Sequence, residues 1–179
     1  MQALGARPLT YNLVYDVASH GFQAWMFPAI GVALTSLGAA CIFSPTFRER
    51  FLPKTAWRGA SLGCFLWVFF LFSLTWTVVA AWTTVSQYVA LRDASVNRAC
   101  TEVEGIVSHF VPRRNGRGLE RFRVNGVEFE YADNIFTGGF NQTAERGGPI
   151  REGVPVRACY VWRAATQDKV IVRLEIAQE

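Results

Sequence analysis

The chain has 179 residues, of which 51% are hydrophobic and 18% charged, with a formal net charge of +4. That charged fraction lies below the roughly 25% usual for soluble globular proteins, and the composition excludes a disordered, collagen-like or disulfide-dense chain. The apolar residues fall in two blocks, which also argues against a single soluble domain.

Residues 1–20 form an N-terminal segment in which Arg7 balances Asp16. A first apolar region covers residues 21–47 and a second covers 59–91, and neither contains Asp, Glu, Lys or Arg. About 20 apolar residues are needed for a helix to cross a hydrocarbon core of about 30 Å. The windows Ala24–Phe43 and Leu62–Val85 are long enough, and both are expected to be transmembrane helices. Trp25 and Phe27 on one span, and Trp57, Trp82 and Tyr88 on the other, mark the ends as interfacial aromatics do. Gly31, Ala33, Thr35, Gly38, Ala39 and Ala40 give span one a small-residue surface, suited to the rings of Phe65, Trp67, Phe69, Phe70, Phe72 and Trp76 on span two. Gly59 and Gly63 spell GxxxG, a spacing common in apolar helices and, in some, a dimerisation face. Cys41 and Cys64 are the only ionisable residues within the spans, which argues against a pump or carrier. A soluble buried hairpin would need a shell of further helices, and the remaining sequence offers none. Span one begins after a segment whose only cation is Arg7, and no tidy small-x-small cleavage site follows before the basic loop, so it reads as a retained anchor.

The basic loop, residues 48–58, carries Arg48, Arg50, Lys54 and Arg58 against Glu49. Short loops rich in Lys and Arg stay cytoplasmic. These four residues therefore set the expected topology: both termini on the far side of the membrane, with residues 92–179 as an extracytoplasmic domain. Arg92 and Arg98 flank span two and keep the opposite orientation open. Sixteen arginines against two lysines are a habit of GC-rich bacterial genomes and point to a bacterial inner membrane, with both termini periplasmic. The basic pI then follows from orientation and calls for no nucleic acid.

Beyond residue 92 the period changes to that of strands. Thr101–Val111 reads as a long strand, with Gly105 as a candidate bulge or bend. Pro112–Gly118 is a turn by composition. Glu120–Val124 and Val127–Tyr131 flank Asn125-Gly126, the strongest short hairpin signal, since a type I′ turn needs positive φ at both central residues. That loop sets Val124 opposite Val127, Arg123 opposite Glu128, Phe122 opposite Phe129 and Arg121 opposite Glu130. One face is then apolar and the other pairs charges. Residues 132–153 are Gly-rich and read as an excursion loop with at most one helical turn, or as the place where an OB-fold inserts a helix. In Val154–Trp162, alternation turns Val154, Val156, Ala158, Tyr160 and Trp162 inward, with Arg157 and Cys159 outward. In Lys169–Ile176 it turns Val170, Val172, Leu174 and Ile176 inward. The expected fold is therefore a membrane α-helical hairpin followed by an all-β domain, a small five-stranded OB-like or SH3-like barrel.

Cys100 has the outward parity of Glu102 and Glu104, and in an OB-type barrel its strand neighbours that of Cys159. A disulfide between the two is expected, permitted by an oxidising periplasm. His20 and His109 have no ligand at i+3 or i+4, no catalytic or nucleotide-binding motif occurs, and neither metal nor cofactor is expected. Glu102 and Glu104 share a face and could act as acid and base, though solvation or pairing with arginine explains them as well. Arg113, Arg114 and Arg117 form the one unpaired basic cluster, a candidate contact for phosphate in a lipid headgroup or another polyanion.

The runs FRVNGVEFEY (Phe122–Tyr131) and GGPIREGVPVRACY (Gly147–Tyr160), with the terminal IVRLEI, resemble small bacterial inner-membrane proteins in which two helices precede a β-rich domain. The order of elements is also similar to that of short NfeD-like proteins, from which the Gly-rich excursion departs. The latter resemblance implies a scaffold partner of membrane-organising proteins. The function expected is a non-enzymatic, bilayer-anchored module that presents its β domain to another envelope protein. The alternative is an immunity or inhibitor protein directed against a toxin or hydrolase acting at the membrane or envelope.

Overall fold

A computed structural model describes residues 10–51, 60–135, 137–164 and 166–178. Strand β1 (Thr10–Asp16) leads into a single-turn helix α1 (Val17–His20), with Asp16 Oδ1 accepting from the Ala18 amide at 2.8 Å as its N-cap. A 3-10 turn at Gln23–Trp25 opens helix α2 (Met26–Phe43). The helix stops at Ser44, which is extended (φ −108°, ψ 103°) because Pro45 disfavours helical geometry in the residue before it. The Ser44 hydroxyl then accepts from the Phe47 amide at 3.3 Å and starts helix α3 (Pro45–Phe51). Helix α4 (Ala60–Val96) has 37 residues. The strands after it are β2 (Thr101–Val111), β3 (Glu120–Val124), β4 (Val127–Tyr131), β5 (Pro155–Arg163) and β6 (Asp168–Gln178).

The chain divides into two compact units. Residues 22–87 form one; the other joins β1 and α1 to everything from Tyr88 onward. In the first, α2 and α4 are each long and apolar enough to cross a membrane, and only 11% of either apolar window is buried. They pack antiparallel, since Gly31 lies against Thr77 and Gly38 against Phe70. The expected small-on-large packing is present at Gly38, which lies against Phe69 and Phe70, whereas Phe65, Trp67, Phe72 and Trp76 are exposed; Gly31 and Gly38 are the buried residues of α2. Thr35 and Thr77 hydroxyls lie 3.0 Å apart, and Phe43 meets Trp67 and Phe70 edge-to-face. Gly63 has nothing near the position of a Cβ, and Gly59 lies outside the described residues.

In the second unit the six strands form one antiparallel sheet in the order β1-β6-β5-β2-β3-β4. The β3–β4 hairpin has the register read from Asn125-Gly126, whose φ values are 47° and 80°. Phe122, Val124, Phe129 and Tyr131 are buried on its inner face. On the outer face Arg121 meets Glu130 at 2.9 Å and Arg123 meets Glu128 at 3.1 Å. Strand β2 is shared along its length: Thr101–Ile106 pairs with β5, and the part from Val107 onward with β3.

Four expectations are corrected. The sheet has six strands where five were expected, because β1, ahead of the helices, pairs with the C-terminal half of β6. It is also not closed into a barrel. A strand has two edges, and β6 gives one to β5 and the other to β1 and to the Phe140 amide, which donates to Ile171 O at 2.9 Å. Among the described residues, β4 and β6 share no ladder pairing, and a side chain links them, Lys169 Nζ donating to Glu128 O at 3.1 Å. Gly139 lies in this seam, where a Cβ would come within 2.6 Å of the Ile171 carbonyl oxygen.

The third correction concerns β2. Gly105 stays in register, with Val124 Cγ1 3.3 Å from where its Cβ would be. The irregularity falls between Ser108 and Val111, at His109, whose φ of 54° is left-handed. The fourth concerns β5. Cys159, expected to face outward, is buried in the core cluster, while Trp162, expected inward, is 53% exposed. Alternation tells which side a residue takes; burial depends on what covers that side. At Ala158 and Cys159 both sides are covered, and Trp162 sits beyond the core near the end of its strand.

Candidate functional site

The Gly-rich excursion is anchored by a buried carboxylate. Glu120 shares the inward parity of Phe122 and Val124, and it is 0% exposed. It accepts the Tyr131 hydroxyl and the Ala144 amide (2.9 Å to Oε2), so it pins the 3-10 turn Ala144–Arg146. Burial, and then the bond to Glu120, raise the Tyr131 phenol well above its ordinary pKa and keep it protonated. The Thr143 carbonyl accepts from Gly148 N at 2.8 Å and from Arg146 N at 2.9 Å, closing the turn.

The basic turn between β2 and β3 does not present three equivalent cations. Arg113, expected to contact an anion, is buried instead, ion-paired with Asp133 and donating to Gly116 O. Asp133 also pairs with Arg146. Desolvating a guanidinium is costly unless a carboxylate meets it, and Asp133 supplies one from the excursion. Glu145 accepts the Gly116 amide at 3.1 Å, so the excursion and the basic turn hold each other. Arg114 and Arg117 are bridged through their backbones, remain exposed, and make no ion pair among the described residues. Arg50 is exposed on α3, which also carries Arg48; Lys54 and Arg58 lie outside the described residues.

The structure joins Cys100 and Cys159 in a disulfide, with Cα atoms 5.6 Å apart. Glu102 is opposite Cys159 in the β2–β5 ladder. Glu104 accepts from Tyr11 Oη at 2.8 Å and from Arg157 Nε at 2.9 Å, and these two bonds lower its pKa. A carboxylate so stabilised in its charged form is a poor general base. Arg157 continues to Glu175 at 3.4 Å, and Glu175 to Arg173 at 2.7 Å; the Arg157 guanidinium lies 4.3 Å from the Tyr11 ring centroid. This chain of charges crosses β2, β5 and β6 and fastens β1 to them. Among the described residues no group of His, Cys, Asp and Glu is arranged to hold a metal.

Sequence reading missed β1 and the roles of Glu120 and Asp133. Two signals were present. The run Tyr11–Tyr15 is rich in aromatic and branched residues and ends on a capping Asp16, and Glu120 is an acid at an apolar-face position of its strand. Asp133 has no local signal, because its partner Arg113 lies on another turn. Comparison with known proteins finds no matching family model, no matching curated protein and no matching solved structure.

Proposed function

We propose that this chain is a non-enzymatic interaction module held in a bacterial inner membrane by α2 and α4, with its sheet on the periplasmic side for another envelope protein. The observation that carries the reading is the pairing of β1 with β6. The segments before the first apolar helix and after the second belong to one sheet, so the chain between them must cross a bilayer an even number of times. Two crossings satisfy this. The net positive link with Arg48, Arg50, Lys54 and Arg58 then lies on the cytoplasmic side. The Cys100–Cys159 disulfide is in keeping with an oxidising compartment for the sheet. The outward faces of α2 and α4, with Leu34, Phe72, Trp76 and Trp82 exposed, are in keeping with lipid around them. Of the three arginines in the turn between β2 and β3, Arg114 and Arg117 are exposed and could meet an anionic group on a partner.

The test is a pair of reporters fused after Glu179. A reporter active only in the periplasm should work there and a cytoplasm-only reporter should stay dark. The reverse pattern overturns the orientation, and recovery of the intact chain in the aqueous fraction after alkaline extraction overturns the anchoring.

A further inference from the structure

Two Asn-Gly turns lie close together in the sheet unit, and they present opposite chemistry. Asn125-Gly126 joins β3 to β4 and is flanked by Val124 and Val127. Asn115-Gly116 lies in the basic turn and is flanked by Arg114 and Arg117. These two form an antiparallel bridge, in which the Arg117 amide donates to Arg114 O at 3.0 Å. Asn115 and Gly116 have φ values of 52° and 66°, both left-handed, as a two-residue type I′ turn requires. Residues directly opposite in such a pair send their side chains to the same face, with Cβ atoms about 4.5–5.5 Å apart.

Arginine opposite arginine is unfavourable, because like charges in that position repel. In the β3–β4 hairpin the residues opposite Arg121 and Arg123 are the acids Glu130 and Glu128, and between β5 and β6 Arg163 meets Asp168. Arg114 and Arg117 are both exposed, and neither makes an ion pair among the described residues.

The turn that carries them is held at both polar groups of Gly116. Its amide donates to Glu145 Oε2 at 3.1 Å, and its carbonyl accepts from the buried Arg113 guanidinium. A hairpin tip is ordinarily mobile, so fixing it before a ligand arrives lowers the entropy cost of binding. Around this tip Arg113, Arg114, Arg117 and Arg146 stand against Asp133 and Glu145, four cations to two acids. Both acids are engaged, Asp133 by Arg113 and Arg146, and Glu145 by the Gly116 amide.

A carboxylate offers two oxygens, which a single guanidinium fork fills. A phosphate monoester offers three terminal oxygens and up to two charges, enough for two forks at once. We infer that Arg114 and Arg117 form a two-fork clamp for a phosphate group, carried by a phosphorylated small molecule or by a lipid headgroup. This specifies the anionic contact named above and rests on that part of the reading alone; the orientation of the chain in a membrane plays no part.

The test follows backbone amides by NMR in the full chain, solubilised in neutral detergent and titrated with inorganic phosphate at constant ionic strength. Gly116 and Arg117 should shift saturably, while Gly126, in the valine-flanked turn, should not move. Arg114→Gln with Arg117→Gln should weaken the response about tenfold, with the Gly126 resonance unchanged as the sign of an intact sheet. Arg114→Lys with Arg117→Lys keeps the charges and loses the forks, and should restore only part of the binding. A linear response shared by Gly126 overturns the inference. So does full binding by the double lysine variant, which would leave charge alone at work. Acetate binding as tightly as phosphate overturns the choice of phosphate, in favour of carboxylates on an acidic segment. Nanodiscs of phosphatidylcholine with and without phosphatidic acid then separate the two sources. Shifts of Gly116 and Arg117 on adding phosphatidic acid support a headgroup, and shifts with inorganic phosphate alone support a soluble phosphorylated ligand. The reporters after Glu179 read orientation independently, so either reading can fail while the other stands.

Discussion

The helical hairpin and the sheet bury opposite kinds of residue. Between α2 and α4 the buried positions are mostly small, Gly31 and Gly38 set against Thr77 and Phe70, with Ser73 and Leu66 on α4, while Phe72, Trp76 and Trp82 face outward. In the sheet, Phe122, Phe129, Ile150 and Leu174 are inside, and charge pairs such as Arg121–Glu130 and Arg157–Glu104 cover the outside. The hairpin gains from backbone closeness and dispersion, the driving forces left when the surroundings are as apolar as the side chains. The sheet gains from removing apolar surface from water. Damage to one half should therefore look different from damage to the other.

The largest separation of the halves is expected from the disulfide. Replacing Cys100 and Cys159 by serine removes a cross-link spanning 59 residues, worth about 4 kcal/mol in the chain-entropy model. Denaturant titration followed through the sheet's near-UV signal should show that loss while the helical far-UV signal persists. Loss of both signals together would mean that the two halves unfold as one.

Glu120→Ala strips the Tyr131 hydroxyl and the Ala144 amide of their buried acceptor. A destabilisation of about 1–3 kcal/mol is expected, with faster proteolysis in residues 132–153. Within the hairpin, Gly31→Val should weaken helix pairing by about 1–3 kcal/mol, because its Cβ falls 2.5 Å from Thr77 Oγ1 and 3.1 Å from Thr77 Cα. Gly63→Ala, with open space at that position, is the matched control and should be neutral in the same detergent-unfolding assay. An equal effect at both positions would remove packing as the cause.

A smaller effect comes from the charges that hold β1. The bonds from Tyr11 and Arg157 lower the Glu104 pKa in the folded state, so their contribution is complete above the ordinary carboxylate pKa. It is lost as pH falls through the lowered value. Glu104→Gln should flatten the acid limb of sheet stability, and, because the Glu104 carboxylate adds to burial in raising the Tyr11 phenol, it should also soften the alkaline limb. Smallest of all, Arg114→Gln with Arg117→Gln should change stability by less than about 0.5 kcal/mol. Retention of the sheet on an anionic matrix should fall, and unchanged retention would remove these arginines as an anion contact.

Local chemistry was enough to predict the two apolar helices, the stop near the basic link and the hairpin register around Asn125-Gly126. Each depends on residues close in sequence, or on a strand period that repeats within a few residues. The tertiary structure decided the rest. Whether the sheet closed depended on which strand took the second edge of β6, and the winner, β1, lies at the other end of the chain. Whether Arg113 stayed free depended on Asp133, brought from beyond the hairpin, and whether Cys159 was buried depended on what lay over its face. Sequence period assigns a residue to a side of its element. Which neighbours then arrive on that side is set by contacts between distant segments, and those form only when the whole chain is folded.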